Sequence, residues 1–163
     1  MGNLIGLKNM IMFSAILLTF GSVSVQQAFA GGGCGCESQG SGDWNSVFDC
    51  GLGIAVPLSS DTVCIDNGDD VQLNGVGVAN NLLISEEGSL LIGCEGDLTV
   101  QQRIFVNPQA SLINHGSVDM DGLTINSDGL VQNSSSAFTF SFINNIGTFE
   151  DISTICDQPI GEQ

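Results

Sequence analysis

The sequence predicts an all-β chain wound as a solenoid of about five coils, and three observations carry that prediction. The first is a repeated phrase: apolar-x-apolar, a few polar or turn residues, Gly or Ala, then a second apolar pair. It reads Leu82-Leu83-Ile84 to Gly88-Ser89-Leu90, Ile104-Phe105-Val106 to Ala110-Ser111-Leu112, and Leu123-Thr124-Ile125 to Gly129-Leu130-Val131. Degenerate copies start at Val63 and Phe142. The second is spacing, because starts at Val63, Leu82, Ile104, Leu123 and Phe142 stand 19, 22, 19 and 19 residues apart. The third is the period-2 alternation inside each copy, which marks strands with one buried face. A unit of this size cannot bury its own apolar face, so successive coils must stack and share a core.

In chain order, residues 1–30 read as a signal peptide. Lys8 supplies a thin positive region, Ile11 to Phe20 a short apolar run, and Ala28-Phe29-Ala30 a small-x-small cleavage site before Gly31. The apolar run is too short for a membrane span. Lipidation at Cys34 is the alternative processing, but Gly31-Gly32-Gly33 lacks the Leu-like residue such a site prefers. Export to the extracellular space or the cell surface is therefore expected.

Eighteen acidic residues follow the leader, and Arg103 is the single Lys or Arg in the same stretch; loss of Lys8 takes the formal charge from −16 to −17. Such a surface repels nucleic acid and anionic membranes. It suits cations or neutral partners, or serves solubility alone. Plentiful Val, Leu, Ile and Phe argue for a folded domain. All six cysteines (Cys34, Cys36, Cys50, Cys64, Cys94 and Cys156) lie in this exported part, so disulfides are expected, with the pairing open. Cys34-Gly35-Cys36 has no second cysteine pair or nearby histidine to complete a thiolate metal site.

Residues 31–41 are Gly- and Ser-rich and read as flexible unless a cysteine ties them. Residues 42–60 hold the only tryptophan and precede the coils, whose bare end needs a cap. Trp44 and Phe48 are either a hydrophobic lid on the first coil or, for Trp44, a platform for stacking a sugar. Residues 61–152 are the solenoid and 153–163 a tail carrying Cys156. Within each coil Val63 and Ile65, Leu82 and Ile84, Ile104 and Val106, and Leu123 and Ile125 should point inward. Cys64, Leu83, Phe105 and Thr124 should point outward, leaving an apolar stripe to be covered by residues 42–58 or by a partner. In the first case Cys50 could bond Cys64.

The run Gly42-Asp43-Trp44-Asn45, then Val56-Pro57, Asp61-Thr62-Val63-Cys64-Ile65 and Gly68-Asp69-Asp70-Val71-Gln72-Leu73 resembles the opening of right-handed parallel β-helix modules in secreted bacterial surface and adhesin-like proteins. The resemblance spans about residues 42–151. It implies a right-handed parallel β-helix in an exported protein; with the cap and disulfides expected above, the reading is a single-stranded β-helix with a disulfide-tied N-terminal cap, acting without catalysis as a cell-surface or extracellular-matrix adhesion or structural module. Its expected partners are an extracellular glycan or surface protein, with self-association through the solenoid ends and no membrane span.

The alternative is a polysaccharide-active β-helical enzyme, hydrolase or lyase. Gly68-Asp69-Asp70, Arg103-Ile104 and His115-Gly116 echo fragments of pectin-cleaving hydrolases. Inverting hydrolysis needs an acid and a base roughly 6.5–9.5 Å apart, whereas adjacent residues on a strand face opposite ways. A lone arginine on an acidic surface is a poor start for binding a polyanion. No catalytic residue and no obligatory cofactor is assigned. Calcium is a secondary expectation, with Asp66, Asp69, Asp119 and Asp121 as corner carboxylates, although neither group completes a known calcium loop.

Overall fold

In the computed structural model the described residues are 33–152 and Cys156; the signal peptide expected at 1–30 and most of the tail expected at 153–163 lie outside them. The described elements are all strands. Three short ones come first: β1 (Cys36–Ser38), β2 (Gly42–Asp43) and β3 (Phe48–Asp49). The coils then alternate between two sheets. One receives β4 (Thr62–Ile65), β6 (Val76–Ile84), β8 (Asp97–Val106), β10 (Ser117–Ile125) and β12 (Phe138–Asn145). The other receives β5 (Asp70–Leu73), β7 (Ser89–Ile92), β9 (Ser111–Asn114), β11 (Leu130–Asn133) and β13 (Thr148–Asp151).

Sheet order is β12-β10-β8-β6-β4-β1-β3 in one and β13-β11-β9-β7-β5-β2 in the other. All pairings between coil strands are parallel, so the chain is a β-solenoid of about four turns. Register follows the repeat. Val63, Leu82, Ile104 and Leu123 align across neighbouring strands, as do Ile65, Ile84, Val106 and Ile125. All eight are fully buried. The intervening Cys64, Leu83, Phe105 and Thr124 align as well, on the other face.

The corners explain the spacing. Turns closed by backbone bonds from Asp69 to Asp66, Gly88 to Ser85, Ala110 to Asn107 and Gly129 to Asn126 occupy the same place in successive coils. Their third residue has positive φ: Gly68 at 78°, Glu87 at 62°, Gln109 at 63° and Asp128 at 62°. The first suits glycine; the other three hold side chains in the left-handed region, where a Cβ is disfavoured. Tightness between coils is clearest at Gly116, where an added Cβ would fall on the carbonyl oxygens of Gly93 and Gly96. Asparagines stitch adjacent corners, with Asn126 donating to Asn107 at 2.9 Å and buried Asn114 donating to Asn133 at 2.9 Å.

The one long spacing, 22 residues, has a local cause. The turn Gly93-Cys94-Glu95-Gly96, closed by Gly96 N–H to Gly93 O at 2.8 Å, is an enlarged corner, and β8 carries a register shift opposite the step from Ala79 to Asn81. At the last copy the repeat is offset by one residue. Leu123 aligns with Ile143, and Phe142 aligns with Gly122, so the expected start at Phe142 is corrected to Ile143. A one-residue shift exchanges faces. The Phe142 ring instead occupies the space that a Cβ on Gly122 would fill, with the Arg103 guanidinium 4.7 Å above its centroid.

All six cysteines are bonded, as Cys34–Cys64, Cys36–Cys50 and Cys94–Cys156. The anticipated Cys50–Cys64 bond is therefore not formed, because β1 lies between β3 and β4 and presents Cys36 to Cys50. Residues 34–41 are also less loose than their composition suggests, since β1 pairs with both neighbours and carries one of the bonded cysteines. Sequence separations of 30, 14 and 62 make each bridge worth about 3–4 kcal/mol in the chain-entropy model.

Two outcomes follow from this packing. Val106→Asp places a carboxylate between Ile84 and Ile125 with no partner, and circular dichroism should report an unfolded chain at room temperature. Gln109→Gly relieves a left-handed side chain at an exposed corner; it should gain about 0.5–1 kcal/mol, read as a melting temperature raised by about 2–5 °C.

Candidate binding surfaces

The first candidate, Trp44, is fully buried. Its backbone N–H donates to Gln72 O at 2.8 Å, continuing β2 along β5, and its ring meets Phe48 edge-on with centroids 4.9 Å apart. Phe48 is likewise fully buried, and both belong to the apolar core. A sugar needs an exposed ring face to stack on, so the stacking role considered for Trp44 is corrected: the residue is a lid. The lid closes the end of the solenoid rather than its flank, because β2 pairs β5 and β3 pairs β1. On the flank, Cys64 is buried in its bond to Cys34, while Leu83 and Phe105 remain half-buried.

The carboxylates considered for calcium are dispersed in role. Asp69 accepts from Ser38 Oγ at 2.5 Å and Gly40 N–H at 3.2 Å, and Ser38 in turn accepts from Asp66 N–H at 2.8 Å, so this corner anchors β1 to the first coil. Asp119 lies on β10 between Thr99 and Thr139 of the flanking strands, and Asp121 is exposed at the bend of the same strand. Among the described residues the one group with metal-ligand spacing is Cys36, Cys50 and Asp61. Its two sulfurs are joined to each other, so they offer no thiolate, and Asp61 instead accepts from Leu58 N–H at 2.8 Å.

The fragments considered for catalysis are also separated. Asp69 closes the corner before β5 and Asp70 opens that strand, Arg103 is on β8 over Phe142, and His115 follows β9. His115 Nδ1 lies 2.6 Å from Ser134 Oγ, and that hydroxyl donates to Asn114 O at 3.1 Å, so the imidazole Nδ1–H is the donor to the serine. Ser134 is buried. The pair joins two corners and presents no accessible nucleophile.

A feature not singled out in the sequence is the loop after β3. Leu52 is 103% exposed, and Ile54, Val56 and Leu58 are exposed with it. The loop is held rather than slack. The Asp49 carboxylate accepts from Gly51 N–H at 2.8 Å and Gly53 N–H at 3.2 Å, Ala55 N–H donates to Phe48 O at 2.9 Å, and Cys50 is bonded to Cys36. The alternation of apolar residues with Gly51, Gly53 and Ala55 was its signal. No helix among the described residues is long and apolar enough to cross a membrane. Compared with known proteins, the chain matches no family model, no curated protein and no solved structure.

A lid role for Trp44 makes a discriminating expectation. Trp44→Ala should cost about 3–5 kcal/mol by leaving a cavity. Trp44→Phe should cost much less, because Trp44 Nε1 is buried without a hydrogen-bond partner and the ring acts as apolar volume. Acrylamide should quench the native tryptophan far less than free tryptophan; equal quenching would remove the lid.

Proposed function

We propose that this chain is an exported, non-catalytic β-solenoid that acts as an adhesion or structural module at a cell surface or in an extracellular matrix, with a surface protein or a glycan as its partner. The observation that carries this reading is the presented apolar loop. Four exposed side chains, Leu52, Ile54, Val56 and Leu58, follow one another on a segment fixed by a disulfide and by the Asp49 carboxylate. Preorganised exposed apolar surface of this kind is suited to docking, since little ordering entropy is lost on contact.

Three disulfides favour an oxidising compartment. The resemblance to β-helix modules of secreted bacterial surface proteins points the same way. The acidic surface favours a neutral or cationic partner. A polysaccharide-active enzyme is the competing reading, and the dispersion of Asp69, Asp70, Arg103 and His115 gives it little support.

The test compares the secreted protein with a Leu52→Ser, Leu58→Ser variant for retention on cells and on immobilised matrix and glycans. Both positions are exposed, so the melting temperature should move little while retention falls. Retention unchanged in the variant would remove the loop from the function. Release of reducing or unsaturated sugar ends from a polysaccharide panel would replace the module with an enzyme.

A further inference from the structure

The two ends of the solenoid are built differently. At the amino-terminal end the sheet edges are the two-residue strands β2 and β3, the second running antiparallel to its neighbour, with Trp44 and Phe48 sealed beneath. At the other end the outermost described strands are β12, with 8 residues, and β13, with 4. Phe138, Phe140 and Phe149 pack against the core there yet stay half-buried, and Phe142, Ile143 and Ile146 are exposed.

Free edges ordinarily carry a charge, a proline or a bulge that stops pairing with another chain. β12 reads Phe-Thr-Phe-Ser-Phe-Ile-Asn-Asn, and no charged residue occurs between Asp128 and Glu150 in a chain that is otherwise strongly acidic. Ile152 follows β13, whereas Cys156 is bonded to Cys94 in the corner after β7, three coils back, about 14 Å at the usual strand spacing.

We propose that a second copy of this chain covers the open end, β12 pairing antiparallel with β12 of its partner about a two-fold axis. Among the described residues the sealed amino-terminal end offers no matching edge, so head-to-tail stacking into filaments is blocked and the assembly closes at two. β12 is the pairing strand, because β13 would bring Glu150 and Asp151 towards their own copies. The half-buried Phe138 and Phe140 of β12 then lie within the interface that this pairing closes. Each copy is strongly negative, so long-range repulsion opposes association and added salt strengthens it. This inference stands independently of the adhesion reading.

The experiment is sedimentation velocity on the secreted protein over a range of concentration and salt, with hydrogen exchange read at the β12 amides. A monomer–dimer equilibrium that saturates at dimer, tightens with salt and protects β12 as the dimer forms is the expected result. A Thr139→Asp, Ser141→Asp variant sets like charges across the axis at exposed positions and should weaken the dimer by about tenfold or more. The exchange data keep the test decisive if that variant folds poorly. Three outcomes overturn the proposal: a monomer at every concentration, oligomers that grow beyond two, or a dimer whose β12 amides exchange as fast as in the monomer.

Discussion

The stacking of inward side chains from coil to coil is the constraint on which the rest of the molecule depends. A single coil has a few apolar residues facing inward and nothing opposite them. The ladder of Ile65, Ile84, Val106 and Ile125, with its neighbour of Val63, Leu82, Ile104 and Leu123, exists because each strand lies in register on the next. Register in turn relies on corners that close at fixed positions, which is why turns recur at Asp66, Ser85, Asn107 and Asn126. Side chains are held in left-handed backbone at three of those corners, a local cost offset by the burial that alignment makes available.

That logic also locates what could be read from the sequence alone. Inward and outward positions were legible because strand alternation and the near-regular period both act over a few residues. The irregular spacing between Leu82 and Ile104 was visible, but its meaning was not: the longer corner presents Cys94 to a cysteine far along the chain. Cysteine pairing depends on which strands lie beside one another, and the position of β1 between β3 and β4 leaves no local trace. The shift from Phe142 to Ile143 escaped for a related reason. Phe142 looks like a core residue until Gly122 opposite it is seen to leave room for the ring on the outer face.

Among the surface features, Trp44 takes the lid role weighed for it, and the exposed loop after β3 was not singled out in the sequence. Of the lid and the sugar platform weighed for the ring beside the Gly-Asp turn, the buried ring is the lid, and the chain just beyond it holds the exposed leucines. Both follow from one cap. Once β2 and β3 cover the first coil, the tryptophan is inside and the connecting segment must leave the body before returning to β4. Carboxylates shape the same cap: Asp69 accepts from the Gly40 N–H, and Asp49 from the Gly51 and Gly53 N–H groups.

The bond between Cys94 and Cys156 also decides how the molecule carries load. A pull applied to the chain beyond Cys156 does not reach Ile152 and peel β13 and then β12 from the stack. It enters through the sulfur bridge at the corner between β7 and β8, and the chain between the two cysteines, 62 residues apart, lies outside the line of tension. The last coils are thereby shielded from unzipping, and force is delivered to strands paired on both sides. For a domain under shear, that converts the weakest edge of the stack into a part that bears no tension.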